Sequence, residues 1–255
     1  MKAENKVPLY ASERIDDLLT HDMKIIQSRE VFCFSMDAVL LARFASVPKR
    51  GRVLDLCTGN GAIPLIMTTR STEAVFEGVE IQERLYDMAS RNAILNGLEQ
   101  RVIMHHGDVK EAVKLFGYGK FDLITCNPPY MPANSGETNS SEHFAIARHE
   151  ILLSLEDVIR VSSQLLKNGG KVALVHRSTR MVDIMTLMRQ YQIEPKRMRL
   201  VYPRRDAEPN MVLIEGVRNG KPELRIQPPL IVYENGEEYC EELQEIYFGK
   251  RDALA

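Results

Sequence analysis

The 255-residue chain holds only four cysteines, Cys33, Cys57, Cys126 and Cys240, widely scattered and with no C-x-x-C pair. That usage argues against a zinc centre and against a disulfide framework, and fits a reducing compartment. Long hydrophobic runs are missing as well: nothing approaches the roughly 18 apolar residues of a membrane span. The opening Met1-Lys2-Ala3-Glu4-Asn5-Lys6 lacks the apolar stretch of a signal peptide. Excess charge of one sign is absent too, since 33 Lys and Arg face 35 Asp and Glu. A bulk polycation is thereby excluded, and any nucleic acid must be met by a local basic patch. These absences predict a cytoplasmic protein without membrane or metal, with a monomer favoured.

What is present suffices for a folded core: 44% of residues are hydrophobic and 27% charged. Strand-like and helix-like patterns alternate from about residue 52 to 217, with no internal repeat. Strands are expected at Arg52–Cys57, Ala74–Ile81, Arg101–His105, Phe121–Cys126 and Lys171–His176. Helices are expected at Ala62–Thr69, Gln82–Leu95, Ile151–Leu166 and Met181–Arg189, with Gly169-Gly170 as the stop of the third. Glu194–Tyr202 and Met211–Val217 follow without an intervening helix and read as an antiparallel hairpin at the edge. The alternation predicts an α/β fold with a mostly parallel sheet. A helix over Ser35–Phe44 precedes it, and a helix over Glu237–Tyr247 lies in the acidic tail. The polar, turn-rich stretch 131–148 reads as a lid.

Asp55-Leu56-Cys57-Thr58-Gly59-Asn60-Gly61 closes the first of these strands. Its two glycines permit a sharp turn and close approach of a ligand, and the helix that follows offers free N–H groups. A dinucleotide fingerprint needs a third glycine, but Ala62-Ile63-Pro64 comes next. A carboxylate four residues before Gly59 suits an ammonium and a sulfonium better than a pyrophosphate, which favours S-adenosylmethionine. Glu80 ends the second strand, where a carboxylate can accept both ribose hydroxyls. Asp108 follows the third and could accept an adenine amino group. A helix cap is the alternative for each acid. Thr58 belongs to the same turn.

Asn127-Pro128-Pro129-Tyr130 follows the fourth strand. Two prolines cannot continue a sheet ladder, so the strand ends in a stiff turn. An amide on one side and an aromatic ring on the other suit a planar group bearing an NH₂: Asn127 accepts from the amine and Tyr130 stacks. His105, His106 and His176 lie on or near buried strands and read as structural.

The motifs in this order resemble those of seven-stranded, Rossmann-like S-adenosylmethionine-dependent methyltransferases that act on exocyclic or amide nitrogens, over roughly residues 30–217. The resemblance implies a glycine motif at Asp55 to Gly61, a ribose acid at Glu80, an adenine acid at Asp108 and a catalytic motif at Asn127, Pro128, Pro129 and Tyr130, with Asn127 also a cofactor-binding residue. Phe32 to Leu41, Asp16-Asp17-Leu18, Lys24 to Gln27 and Ala147 to Glu150 are similar to a bacterial small-domain subfamily that methylates adenine N6 beside the anticodon of a valine tRNA. That likeness implies Asp37 as a cofactor-side residue and Arg148 as a phosphate contact. Ser35-Met36-Asp37 stands where Gly-Thr-Asp is expected, which keeps the acid. Asp37 as a helix N-terminal charge remains the alternative.

Lys196, Arg197, Arg199, Arg204 and Arg205 form a basic cluster on and between the last two strands. A charge run of this kind is usually a solvated face, but here it borders the expected substrate mouth, and Arg199, Arg204 and Arg205 are expected to meet tRNA phosphates. The chain then divides into an N-terminal extension closing over the cofactor site (1–50), a catalytic domain (51–218) and an acidic tail packing on it (219–255). Two other acceptors share the logic of the motif, namely the glutamine amide of release factors (N5 methylation) and guanine N2 of rRNA. Release-factor enzymes carry a separate helical domain and guanine-N2 enzymes a second methyltransferase-like domain. A non-catalytic RNA binder would not need Asp55, Gly59, Gly61, Glu80 and Asn127 together.

Overall fold

The buried apolar runs become strands and the amphipathic runs between them helices, as their periodicities of 2 and 3.6 require. The computed structural model describes residues 7–18, 20–31, 34–128, 153–236 and 238–248. The stretch 131–148, with Pro129, Tyr130 and Arg148, lies outside the described residues. β1 (Glu13–Asp17) and β2 (Lys24–Ser28) form an antiparallel hairpin, and α1 (Met36–Phe44) follows. Next come β3 (Arg50–Leu56), α2 (Ala62–Thr68), β4 (Glu73–Glu80), α3 (Glu83–Leu95), β5 (Val102–His106), α4 (Ala112–Phe116) and β6 (Phe121–Cys126). The chain resumes with α5 (Leu155–Leu165), β7 (Leu166–Arg177), α6 (Met181–Gln190), β8 (Ile193–Tyr202) and β9 (Met211–Arg218).

These strands lie in the order β5-β4-β3-β6-β7-β9-β8. β3 through β7 pair in parallel, while β9 runs antiparallel to both β7 and β8. From β3 the sheet grows one way through β4 and β5 and the other way through β6 and β7. The carboxyl ends of β3 and β6 therefore flank a topological switch point, where open α/β sheets bind ligands.

Alternation along the strands splits the core in two. Val53, Phe76, Leu123 and Ala173 face α1, α2 and α3. Leu54, Val79, Ile124 and Leu174 face α4, α5 and α6. The expected helix from Ile151 begins instead at Leu155, because Ser154 caps it: Ser154 Oγ accepts from Asp157 N–H at 3.1 Å and Asp157 Oδ2 from Ser154 N–H at 3.2 Å. The helix also ends before Gly169-Gly170. Leu166 already pairs with Phe121, and Gly170 lies within β7, where a Cβ would come 3.1 Å from the Phe121 carbonyl oxygen. Gly170 serves close strand packing, and Gly169, at a left-handed φ of 76°, serves the irregularity between the Phe121 and Leu123 pairings, so neither is a helix stop.

The tail extends the sheet beyond the hairpin. β10 (Arg225–Ile226) and β11 (Leu230–Ile231) pair in parallel with β8, making nine strands. After the small hairpin β12 (Tyr233–Asn235) and β13 (Glu238–Tyr239), α7 (Glu241–Phe248) buries Leu243 and Ile246 in the core shared with α1. Among the described residues no helix is long and apolar enough to cross a membrane.

Candidate active site

β3 delivers Asp55 to the switch point with its side chain fully buried. Its Oδ1 accepts a 2.6 Å hydrogen bond from Thr125 Oγ1 on β6, the residue opposite it in the ladder. Among the described residues Oδ2 is buried without a partner, and so is Thr58 Oγ1. Thr58 stands close enough to favour the charged carboxylate, though not in hydrogen-bonding geometry. Burial pushes the Asp55 carboxyl up to about 7, against the pull of the Thr125 bond, and the Glu80 charge adds to the rise.

The turn after β3 reverses sharply. Cys57, Gly59 and Gly61 all take left-handed φ values, of 57°, 58° and 83°. Gly61 is required twice over, because a Cβ there would also meet Met104 Cε at 3.0 Å. Over Gly59 nothing lies within 4 Å of a built Cβ, so the turn is open where a ligand would approach. Glu80, buried at the end of β4, holds the turn: Oε2 accepts from Gly59 N–H at 2.8 Å and Oε1 from Gln82 N–H at 2.9 Å.

β5 leads into Asp108, whose Oδ1 accepts from Lys110 N–H at 2.8 Å and caps the short 3₁₀ turn Val109–Glu111. The cap alternative thus describes one of its oxygens. Asn127 leaves β6 half-buried, followed by buried Pro128. Pro129 and Tyr130 are outside the described residues. Asp37 sits in the first turn of α1, and burial raises its carboxyl above the usual range. Tyr247 of α7 is near enough for the Asp37 charge to add to a rise of its phenol that comes first from burial.

The basic cluster divides. Arg199 is only 6% exposed; it donates to the Pro228 carbonyl at 2.9 Å and pairs with Glu242 of α7 at 2.7 Å. Arg197, on the same strand face, donates to the Phe44 carbonyl and lies 3.5 Å from Glu215. Both guanidiniums hold the tail and α1 rather than facing solvent. Arg204 and Arg205 are exposed on the β8–β9 loop. Because β8 runs parallel to β7, that loop lies at the same sheet end as Asn127. Arg148 is outside the described residues.

Two groups escape a sequence reading. Thr125 is the lone hydroxyl in the run Phe121-Asp122-Leu123-Ile124-Thr125-Cys126, and it bonds Asp55. Asn92 is fully buried on α3; its Nδ2 donates to the Asn60 carbonyl at 2.9 Å and its Oδ1 accepts from Ile26 N–H at 2.7 Å. Asn60 Nδ2 closes the triangle on the Ile26 carbonyl at 3.2 Å. An amide at the fourth position of the apolar series Leu85, Met88, Ala89, Asn92, Ala93 is the available signal. His176 is buried, and burial followed by the Arg180 charge lowers its imidazole to about 4. Among the described residues no three His, Cys, Asp or Glu side chains form a metal cradle.

An acid with an unmatched oxygen beside an open glycine turn fits a ligand that brings a cation and a nucleoside, and sites of this form define the Rossmann-like methyltransferases. The sequence profile of the methyltransferase small domain family matches residues 22–193, and the chain belongs to that family. It is 30% identical over 185 residues to a tRNA1(Val) (adenine(37)-N6)-methyltransferase of Porphyromonas gingivalis, covering 70% of this chain and 72% of the relative. Its identity to the protein of the same name from Parabacteroides distasonis is 32% over 179 residues, covering 70% and 74%. Among solved structures, a predicted O-methyltransferase of Agrobacterium tumefaciens superposes with a TM-score of 0.68 at 21% identity, over 84% of this chain and 97% of that one. That likeness bears on the fold.

Proposed function

We propose that the protein transfers a methyl group from S-adenosylmethionine to N6 of an unpaired adenine in tRNA, with adenine 37 of a valine tRNA as the acceptor. One observation carries the reading: on adjacent strands, Asp55 with its unmatched buried oxygen stands beside the strand that ends in Asn127-Pro128. The relatives named above supply the acceptor. Asp55, Thr58, Gly59, Gly61 and Glu80 would hold the methyl donor, with Asp108 and Asp37 at its margins. The donor supplies an electrophilic methyl group.

The residues of the chain then act on the amine. The lone pair of an exocyclic adenine nitrogen is delocalised into the ring, so the nitrogen must be drawn toward sp³ before it can attack. Asn127 Oδ1 and the Pro128 carbonyl accept its two N–H bonds and aim the lone pair. No strong base is required, because the amine gives up one proton only after the methyl group has arrived, when the nitrogen is cationic and strongly acidic; orientation and fixed dipoles supply the catalysis. Tyr130 holds the base by stacking, worth on the order of 1–3 kcal/mol. A stacked, paired base cannot reach such a turn, so the acceptor is unpaired or flipped out. Arg204 and Arg205, exposed at the same end of the sheet, meet phosphates. A tRNA acceptor puts the reaction in the cytoplasm.

The test is labelled methyl transfer from S-adenosylmethionine to tRNA, rRNA and release factor, each purified from a strain lacking the gene. Label in tRNA, recovered as N6-methyladenosine, is expected. Label in release factor alone would reject the reading in favour of a glutamine acceptor.

A further inference from the structure

Asp55 does not stand alone in the sheet. On the face toward α1 and α2, ladder neighbours present Gly78 of β4, Asp55 of β3, Thr125 of β6 and Ala173 of β7 side by side. Gly78 leaves the room that Thr58 fills, since a Cβ there would come 2.8 Å from Thr58 Cγ2. In this row Asp55 and Thr125 are both fully buried. A carboxylate so placed costs free energy unless its oxygens are matched. Thr125 has a single hydroxyl proton, and it goes to Oδ1 at 2.6 Å, the length of a charge-assisted bond. Oδ2 is left with unused acceptor capacity and no partner among the described residues. As a purely structural device the pair would be poor: two apolar side chains of the same size would fill the row without an orphaned oxygen.

We propose that Thr125 is a positioning residue for the methyl donor, its hydroxyl fixing Asp55 so that Oδ2 receives the α-ammonium group of the donor's amino-acid portion. This rests on the methyl-donor reading above. Asn127 follows directly on the end of β6, two residues after Thr125, so one short segment carries the donor-side anchor and the acceptor-side amide together. Thr125 touches neither reacting atom; it acts through Asp55.

Calorimetric titration of the full-length protein with S-adenosylhomocysteine and with 5′-methylthioadenosine tests this without any RNA. The second ligand shares the nucleoside but has no ammonium group. Thr125→Val, which keeps the shape and removes the hydroxyl, should weaken S-adenosylhomocysteine about tenfold. Its affinity for methylthioadenosine should stay within about twofold of the wild type, since lost hydrogen bonding is the only change. Thr125→Ser should restore the tight binding. Unchanged S-adenosylhomocysteine affinity in Thr125→Val, or equal weakening of both ligands, would overturn the assignment. If Thr125→Val does not fold, Thr125→Ala and Thr125→Ser are compared by the same ratio of affinities, which a general loss of packing does not move. A wild-type protein that binds neither ligand would refute the methyl-donor reading itself, which is a different result.

Discussion

Asn92 on α3 donates to the backbone carbonyl of Asn60, in the glycine turn, at 2.9 Å, and both side chains are buried. Through Ile26 the same two amides hold strand β2, so the N-terminal hairpin braces the glycine turn. Replacing Asn92 with Leu leaves the Ile26 N–H and the Asn60 carbonyl unmatched, at about 1–3 kcal/mol. For a chain of this size that lowers the melting temperature by roughly 2–12 °C. S-adenosylhomocysteine binding should weaken with it. Calorimetry on Asn92→Leu that finds full affinity would show that the brace does not reach the turn.

The pH dependence of cofactor binding follows from Asp55. Burial raises its carboxyl from 3.8 to about 7. An acid raised on folding favours the fold below its unfolded value and loses that contribution as pH rises through the folded one. The ligand-free protein should therefore lose stability between pH 3.8 and about 7 from this group. A cationic ligand prefers the ionised form, so its affinity should rise by up to about tenfold per pH unit below the midpoint and level off above it. Titrations at several pH values should show that rise in the wild type and a flat profile in Asp55→Asn. His176 acts in the opposite sense: lowered from 6.5 to about 4, it contributes stability above 6.5 that is lost as pH falls toward 4. In His176→Gln that acid limb of the melting curve should be shallower.

Asn127→Ala should lower kcat by at least about a hundredfold, the scale of one lost transition-state hydrogen-bond partner. Cofactor affinity should change little, because Asn127 meets the acceptor amine. Steady-state kinetics and calorimetry on the same preparation decide it, and equal losses in both would assign the residue to cofactor binding instead.

The two kinds of arginine on and after β8 separate in a salt titration. Arg204→Glu with Arg205→Glu should weaken tRNA binding and reduce the slope of log affinity against log salt by about 1.4–1.8, the share of two phosphate contacts. Arg199→Glu should leave that slope unchanged and lower the melting temperature, because it breaks the pair with Glu242. An unaltered slope in the double variant would remove the β8–β9 loop from the RNA surface.

Much of the candidate site lies in two short segments, Asp55 to Gly61 and Asn127 to Tyr130, and local chemistry made them readable. A glycine turn and a proline pair constrain their own backbone whatever surrounds them. The partners of those segments were hidden because they arise from register. Thr125 meets Asp55 from 70 positions away only because β6 lies beside β3 in that alignment. Arg197 and Arg199 look like a continuation of Arg204-Arg205 along the chain. The two-residue period of β8 instead puts both on the face that α1 and α7 cover. Gly170 follows the same rule, since strand contact decides its role, whereas Gly169 is set by its own left-handed φ of 76°.

The tail also settles how the sheet ends. β8 would otherwise present a row of unpaired backbone groups along its outer side, a template for strand addition between molecules. Gln227 N–H on the Met198 carbonyl and Val232 N–H on the Tyr202 carbonyl, each at 2.8 Å, occupy part of that row from within the chain. The two pairings are short, and beside the stability that Leu230, Val232, Leu243 and Ile246 add by burial their consequence is colloidal: a copy cut before Arg225 would be less stable and would expose a sticky border.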